Sequence, residues 1–358
     1  MLERFNDIEP YSLDRQEKRA LLFPELKELT AFHCANCPEY RGILSVLDFD
    51  SDKCLEPEDI PFLPVRLFKN LRMKSIRDDE VFKVMTSSGT TGTPSKIYLS
   101  RENAVLQQKI LLKLIGSFVG KKRLPMLVID SPMVIKNRSL FPARGAPIIG
   151  LEFAAQKMVF ALDENMNLNE DVVSDFLDKY GSSDFIVFGF TFMVWKHLYD
   201  AVESGGLHFD FSNGTLITGG GWKKLENLRV TPGAFKSRGR ELCRIRRFMD
   251  HYGMAEQSGS IYVECECGHL HASIYSDIII RDPIDFSPCP IGEPGIIQVV
   301  SALPHSYPGH SLLTEDMGVI LGEDDCQCGR KGKYVRILGR MQSAELRGCS
   351  DTYASQFS

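Results

Sequence analysis

Thr86-Ser87-Ser88-Gly89-Thr90-Thr91-Gly92-Thr93-Pro94-Ser95-Lys96 is the stretch from which the rest of the chain is best read. Gly89 and Gly92 let the backbone come close to a polyphosphate, the hydroxyls of Thr86, Ser87, Ser88, Thr90, Thr91 and Thr93 add donors, and Lys96 adds positive charge. The segment follows a strand-like run at 81–85 and precedes another at 97–99. A Walker loop requires four residues between its glycine and its Gly-Lys pair, so a P-loop NTPase is a poor match. The density and order of hydroxyls, glycines and lysine favour a phosphate-binding turn at a strand end over an ordinary Ser/Thr/Gly-rich surface turn.

Around this turn the chain changes texture three times. Residues 1–80 read as a helical region packed on the core: Leu21, Leu22, Leu26, Leu29 and Phe32 recur among charges over 13–33, which predicts an amphipathic helix interrupted near Pro24. Across 81–255, short apolar runs at 81–85, 126–129, 158–162 and 185–188 alternate with helical patterns at 103–118 and 171–177, the pattern of an α/β sheet with covering helices. Residues 256–338 hold strand-like pieces at 273–280, 296–300, 317–321 and 334–338 with little helix between, so a β-rich subdomain is expected, followed by a short tail at 339–358. There is no internal repeat and no low-complexity linker.

With 358 residues, 43% hydrophobic and 25% charged, and a net charge of -5, the composition is that of a soluble globular protein and argues against nucleic acid as a partner. The first ten residues contain no apolar leader core and no later run is long enough for a bilayer span, so a cytoplasmic location is expected. Ten cysteines in such a chain read as thiols or metal ligands rather than as a disulfide framework.

The quoted loop closely resembles the phosphate-binding signature of the adenylate-forming superfamily, which includes acyl-coenzyme A ligases and luciferases. Further segments follow in that superfamily's order. Gly219-Gly220-Gly221-Trp222-Lys223-Lys224 resembles the turn that lies against adenine. In His251-Tyr252-Gly253-Met254-Ala255-Glu256, the resemblance implies that Tyr252 flanks adenine and Glu256 helps bind Mg2+. Leu313-Thr314-Glu315-Asp316 resembles the motif whose aspartate holds the ribose hydroxyls, with Glu315 where glycine is common, which leaves the turn geometry open. Gly339-Arg340 resembles the hinge, with Gln342 where aspartate is usual and Arg347 near a usual lysine; Arg340 is a candidate phosphate or ribose contact. The implied fold is α/β, of the adenylate-forming large-domain type, with layered α/β subdomains and a β-rich closing subdomain. The usual small C-terminal domain is expected to be missing, since so few residues follow Gly339.

Something else must then accept the acyl group. Cys349 lies between Gly348 and Ser350, and a thiolate attacks the mixed anhydride of an acyl-adenylate readily. With the loop and the glycine triplet, Arg347-Gly348-Cys349-Ser350 resembles the LuxE-like acyl-protein synthetases of bacterial luminescence over nearly the whole chain. That resemblance implies ATP and Mg2+ dependence and a fatty or other carboxylic acid as substrate. It also implies transfer to Cys349 and delivery to an acyl reductase or another acceptor protein, with Lys96 and Arg340 assisting adenylation. Two other readings stay open: a phenylacetate-type ligase that acylates coenzyme A or a carrier protein, and a catalytically silent nucleotide-binding module.

Cys265-Glu266-Cys267-Gly268 and Cys326-Gln327-Cys328-Gly329 are two Cys-x-Cys-Gly units whose four thiolates suit a structural zinc, with His269 and His271 in reserve. Cys34 and Cys37 with His33 also have ligand spacing, but no second pair lies nearby. The run from Phe188 to Trp195, with Gly189, reads either as lining for an acyl tail or as ordinary core. Lys236, Arg238, Arg240, Arg244, Arg246 and Arg247 form a basic run, either a solvated face or a docking patch.

Overall fold

The computed structural model describes residues 2–87, 94–136, 145–222 and 229–341. The strands along the chain are β1 (Leu63–Pro64), β2 (Lys83–Thr86), β3 (Lys96–Leu99), β4 (Leu124–Val128), β5 (Ala155–Phe160), β6 (Phe185–Phe188) and β7 (Gly214–Gly219). They continue as β8 (Arg247–Tyr252), β9 (Tyr262–Glu264), β10 (Leu270–His271), β11 (Ser276–Arg281), β12 (Pro294–Ser301), β13 (Ser311–Glu323) and β14 (Lys333–Arg340). The chain divides into two compact units, the first made of 1–109, 253–260 and 271–358, the second of 110–252 and 261–270.

In the first unit β11, β12, β13 and β14 form an antiparallel meander, and β1 lies parallel to β13 with Leu63 opposite Leu312 and Pro64 opposite Leu313. The helices α1 (Arg15–Asn36) and α2 (Pro38–Val46) belong to the same unit. A capping box starts α1: the Asp14 carboxylate accepts the Glu17 N–H at 2.9 Å and Glu17 accepts the Asp14 N–H at 3.1 Å. Contrary to the sequence expectation, α1 runs through Pro24 without a break. Proline forfeits one helical hydrogen bond, but Leu22, Leu26 and Leu29 on the same helix are all buried, and that burial outweighs the loss. The loop 303–306 is held by Asn103, whose Nδ2 donates to the Leu303 carbonyl at 2.6 Å and whose Oδ1 accepts from the N–H groups of His305 and Ser306.

The second unit is a sheet in the order β5-β4-β6-β7-β8-β9, parallel from β5 to β8 with β9 antiparallel at the end. β4 and β6 are buried on both faces, as strands covered by helices on each side must be. The first-made strand lies inside the second, so the order reverses beside β4, and ligands of such open sheets lie at the carboxyl ends of the strands.

β2 and β3 join neither sheet. They form their own antiparallel hairpin, so the run at 81–85 does not begin the parallel sheet as the alternation suggested. Among the described residues, no helix is long and apolar enough to cross a membrane.

Candidate functional site

The hairpin is the platform of the phosphate-loop segment. Its last pair is Thr86 with Lys96; beyond it the Ser87 N–H donates to the Ser95 carbonyl at 3.2 Å and the Ser95 N–H to the Ser87 hydroxyl at 3.0 Å. Two strand ends cross-linked in this way deliver the chain into and out of 88–93 at one fixed place. Ser88, Gly89, Thr90, Thr91, Gly92 and Thr93 lie outside the described residues. Thr86 and Ser87 are half-buried and Lys96 is exposed.

Within the same unit the segment after Gly253 is anchored to this hairpin, because the Ser258 hydroxyl donates to Met85 Sδ at 3.5 Å. Gln257 locks it from the other side, its Nε2 donating to the carbonyls of Val299 at 3.1 Å and Gly309 at 2.9 Å. Glu256, just before these two anchors, is only 6% exposed and has no ion-pair partner among the described residues. A buried carboxylate gains from a cation, and a hard oxygen donor of this kind is chemically suited to Mg2+.

Asp316 sits where β13 leaves its ladders. Against β12 the register runs from Leu313 opposite Gln298 to Met317 opposite Ile296, so β13 carries two extra residues there. Against β14 it shifts again between Met317 and Gly318. The bulge is closed by Thr314, whose hydroxyl accepts the Asp316 N–H at 3.1 Å. The geometry left open by a glutamate in place of glycine thus resolves as a bulge in which Glu315 needs no left-handed backbone. Glu315 accepts hydrogen bonds from the guanidinium of Arg66 and, at 3.0 Å, from that of Arg340. Burial would push its carboxyl up, but the bond and charge of Arg66, with Arg340 and Lys69, hold it below its ordinary range. Arg340 is exposed and stands opposite Asp316 in the ladder; Gly339 before it has φ 136°, a conformation that favours glycine.

The second unit holds the glycine triplet and Tyr252. Gly219 ends β7, and a Cβ there would run into the His251 imidazole on β8. Gly220 and Gly221 have φ 75° and 58°, so the turn at the carboxyl end of β7 is one that side chains disfavour. Lys223 and Lys224 lie outside the described residues. Tyr252, half-buried, ends β8 with its ring 6.1 Å from that of Tyr262. The strand before it is braced by Thr218 donating to Asp250 at 3.3 Å, Asp250 N–H to Glu264 at 3.2 Å and Lys236 to Glu264 at 2.5 Å.

Among the metal candidates of the first unit, His271, Cys326 and Cys328 each offer an atom to one group within 4.8 Å, His271 Nε2 lying 3.4 Å from Cys328 Sγ. In the second unit Cys265 is buried at the start of a tight turn, its N–H donating to the His269 carbonyl at 2.9 Å, while Cys267 is exposed. His33 is committed elsewhere: its Nδ1 meets the Ser75 hydroxyl at 2.7 Å and its Nε2 the Pro304 carbonyl at 2.9 Å. Burial pushes the Cys37 thiol up to about 11, so it is an inert structural thiol.

Gly189 does not leave room for an acyl tail. A Cβ there would meet Val194 at 2.7 Å and Ile129 at 3.0 Å, and Phe188, Met193 and Val194 are fully packed, which makes the segment core. Most of the basic run is engaged within the second unit, Lys236 with Glu264 among them, whereas Arg246 is exposed. Arg238 pairs with Asp200 and Glu203 and lies over the Trp195 ring, Arg244 pairs with Asp210, and Arg247 with Asp184. Arg66 was missed entirely, since nothing local marks it; only the pairing of β1 with β13 brings it to Glu315. Cys349, Gln342 and Arg347 lie outside the described residues.

The acyl-protein synthetase family LuxE matches residues 4–358. The chain is 22% identical over 357 residues to the long-chain-fatty-acid–luciferin-component ligase of Aliivibrio fischeri, covering 97% of this chain and 91% of the relative. To the ligase of the same name from Vibrio harveyi it is 23% identical over 364 residues, with the same coverage of 97% and 91%. Among solved structures, an open conformation of 2-hydroxyisobutyryl-CoA ligase in complex with 2-HIB-AMP and CoA aligns with a TM-score of 0.71 at 17% identity, covering 93% of this chain and 77% of that one. At that identity the likeness is one of fold, the adenylate-forming α/β arrangement.

Proposed function

The chain belongs to the acyl-protein synthetase family LuxE, and on that premise we propose that it adenylates a fatty acid with ATP and transfers the acyl group to its own Cys349. As a member of that family it is an acyl ligase of the acid–thiol type. In the proposed sequence the carboxylate attacks the α-phosphorus of ATP and pyrophosphate leaves. The Cys349 thiolate then attacks the acyl carbon, AMP leaves, and the thioester is passed to an acceptor such as an acyl reductase. Residues 86–93 and Lys96 hold the phosphates, Gly219, Gly220, Gly221, Tyr252 and Gly253 the adenine, and Asp316 and Arg340 the ribose and α-phosphate side. Glu256 would hold Mg2+, which lowers the charge that the incoming carboxylate must approach.

One observation carries the reading: the family match runs from residue 4 to 358 and therefore takes in the loop, Glu256, Asp316 and Cys349 together. The test is a Cys349→Ala variant with a series of fatty acids of graded chain length. Acid-dependent ATP–pyrophosphate exchange should persist while covalent labelling by radioactive acid disappears. Labelled coenzyme A thioester formed by the variant would instead favour a ligase with a free thiol acceptor.

We also propose that His271, Cys326 and Cys328 of the first unit hold a structural zinc. Support comes from the group of His271 and Cys326, both buried, with the half-buried Cys328, whose donors suit zinc. His271, a reserve ligand in the sequence reading, thus joins Cys326 and Cys328 in the proposed set, whereas Cys267 is exposed.

A further inference from the structure

Arg340 is the cation expected at the nucleotide, yet its guanidinium is bonded to Glu315 at 3.0 Å. A lone Arg–Glu pair would present almost no net charge to a polyphosphate. Here a third member changes the sum, because Arg66 also donates to the same carboxylate from the other side. Two guanidinium groups on one carboxylate leave one positive charge, and the glutamate fixes where Arg340 carries it.

The fold builds this triad deliberately. β1 pairs in parallel with β13 through Leu312 and Leu313, and the Val65 N–H continues the ladder to the Leu313 carbonyl at 2.9 Å. Running on in step, Arg66 comes level with Glu315 at the bulge. The same bulge is tied to the end of β14 by the Met341 N–H donating to the Glu315 carbonyl at 2.9 Å. Glu315 is half-buried, its side chain 16% exposed, whereas Arg340 is 59% exposed and reaches outward beside Asp316.

We propose that Arg66 is a positioning residue for adenylation, acting through Glu315 to hold the Arg340 guanidinium at the nucleotide beside Asp316. The inference rests on the adenylation reading above. Pyrophosphate exchange in wild type, Arg66→Ala, Glu315→Gln and Arg66→Lys tests both, using the fatty acid that exchanges fastest, with thermal unfolding to establish that each variant is folded. Arg66→Ala should raise KM for ATP roughly tenfold while kcat changes far less, the cost of one misplaced charge-assisted hydrogen bond. Arg66→Lys should fall between it and wild type.

Glu315→Gln separates position from charge. It adds net positive charge near the nucleotide, so a purely electrostatic role predicts a lower KM for ATP, whereas loss of positioning predicts a higher one. Added to Arg340→Ala, the Arg66→Ala change should have little further effect, because Arg66 acts only through Arg340. A wild type without acid-dependent exchange overturns the adenylation reading and the relay with it. Exchange in the wild type combined with an unchanged KM in both Arg66→Ala and Glu315→Gln, a lowered KM in Glu315→Gln, or additive effects of Arg66→Ala and Arg340→Ala overturns the relay alone.

Discussion

Asp277 on β11 is 9% exposed and receives two ammonium groups, Lys18 from α1 at 3.1 Å and Lys333 from β14 at 3.0 Å. Burial would push its carboxyl up, but the two lysines hold it below its ordinary range. Lys333 also donates to the Ile278 carbonyl at 3.1 Å, so this one carboxylate ties a helix to two strands. Replacing it by alanine strands the buried Lys18 and leaves Lys333 with the Ile278 carbonyl and Glu58 at 3.9 Å. Asp277→Ala should therefore lose about 3–5 kcal/mol in urea unfolding; a loss within experimental error of zero would mean that the lysines reach water. Pairing the change with Lys18→Met should recover part of the loss. Glu315 follows the same physics in a more exposed setting, which is why its consequence is expected in KM rather than in stability.

At the level of elements, short irregularities stand at the candidate residues: the bulge at Thr314–Asp316 in the first unit and the turn of each Cys-x-Cys-Gly unit. Each cysteine unit ends in a glycine with positive φ, 79° at both Gly268 and Gly329, and in each the glycine N–H donates to the carbonyl of the first cysteine at 2.9 Å. Each turn buries its first cysteine, Cys265 and Cys326, and the zinc proposal is tested on the Cys326 unit. Purified protein should hold about one zinc per chain by elemental analysis, and a strong chelator should lower the unfolding temperature of the wild type but not that of Cys326→Ser. Metal-free protein with the same unfolding temperature would rule out a structural role. The hairpin also shows what local pattern conveys. The turn chemistry of 86–96 announced two strand ends, but a pair of short runs cannot say which sheet they join.

Taken as a whole, the first unit encloses a neutral histidine pair. His33 and His310 stack with ring centroids 5.1 Å apart, and the His310 Nε2 lies 2.9 Å from the Thr30 hydroxyl. Burial, first among the causes, lowers His33 from 6.5 to about 3 and His310 well below 6.5. Native protein keeps both rings neutral while the unfolded chain takes up protons below 6.5, so this contribution is complete above that pH and is lost as the pH falls toward 3. Stability should drop by about 1.4 kcal/mol per pH unit for each ring in that window. His33→Gln should flatten the slope measured by urea unfolding between neutral and mildly acidic pH. An unchanged slope would place the acid sensitivity elsewhere.

Features set by near neighbours were legible in their order: the strand ends that pair at Thr86 and Lys96, the positive-φ turn of the glycine triplet at the end of β7, and the tight turns of the Cys-x-Cys-Gly units. These reflect backbone conformation and donor chemistry within a few residues, and such constraints are written in sequence. Pro24 inside an unbroken helix, Gly189 filled by Val194 and Ile129, His271 rather than Cys267 among the buried donors, and Arg66 against Glu315 across 249 positions were settled only by packing and strand register. Burial energies and ladder pairings depend on which distant segments meet, and no short stretch of chain encodes that meeting.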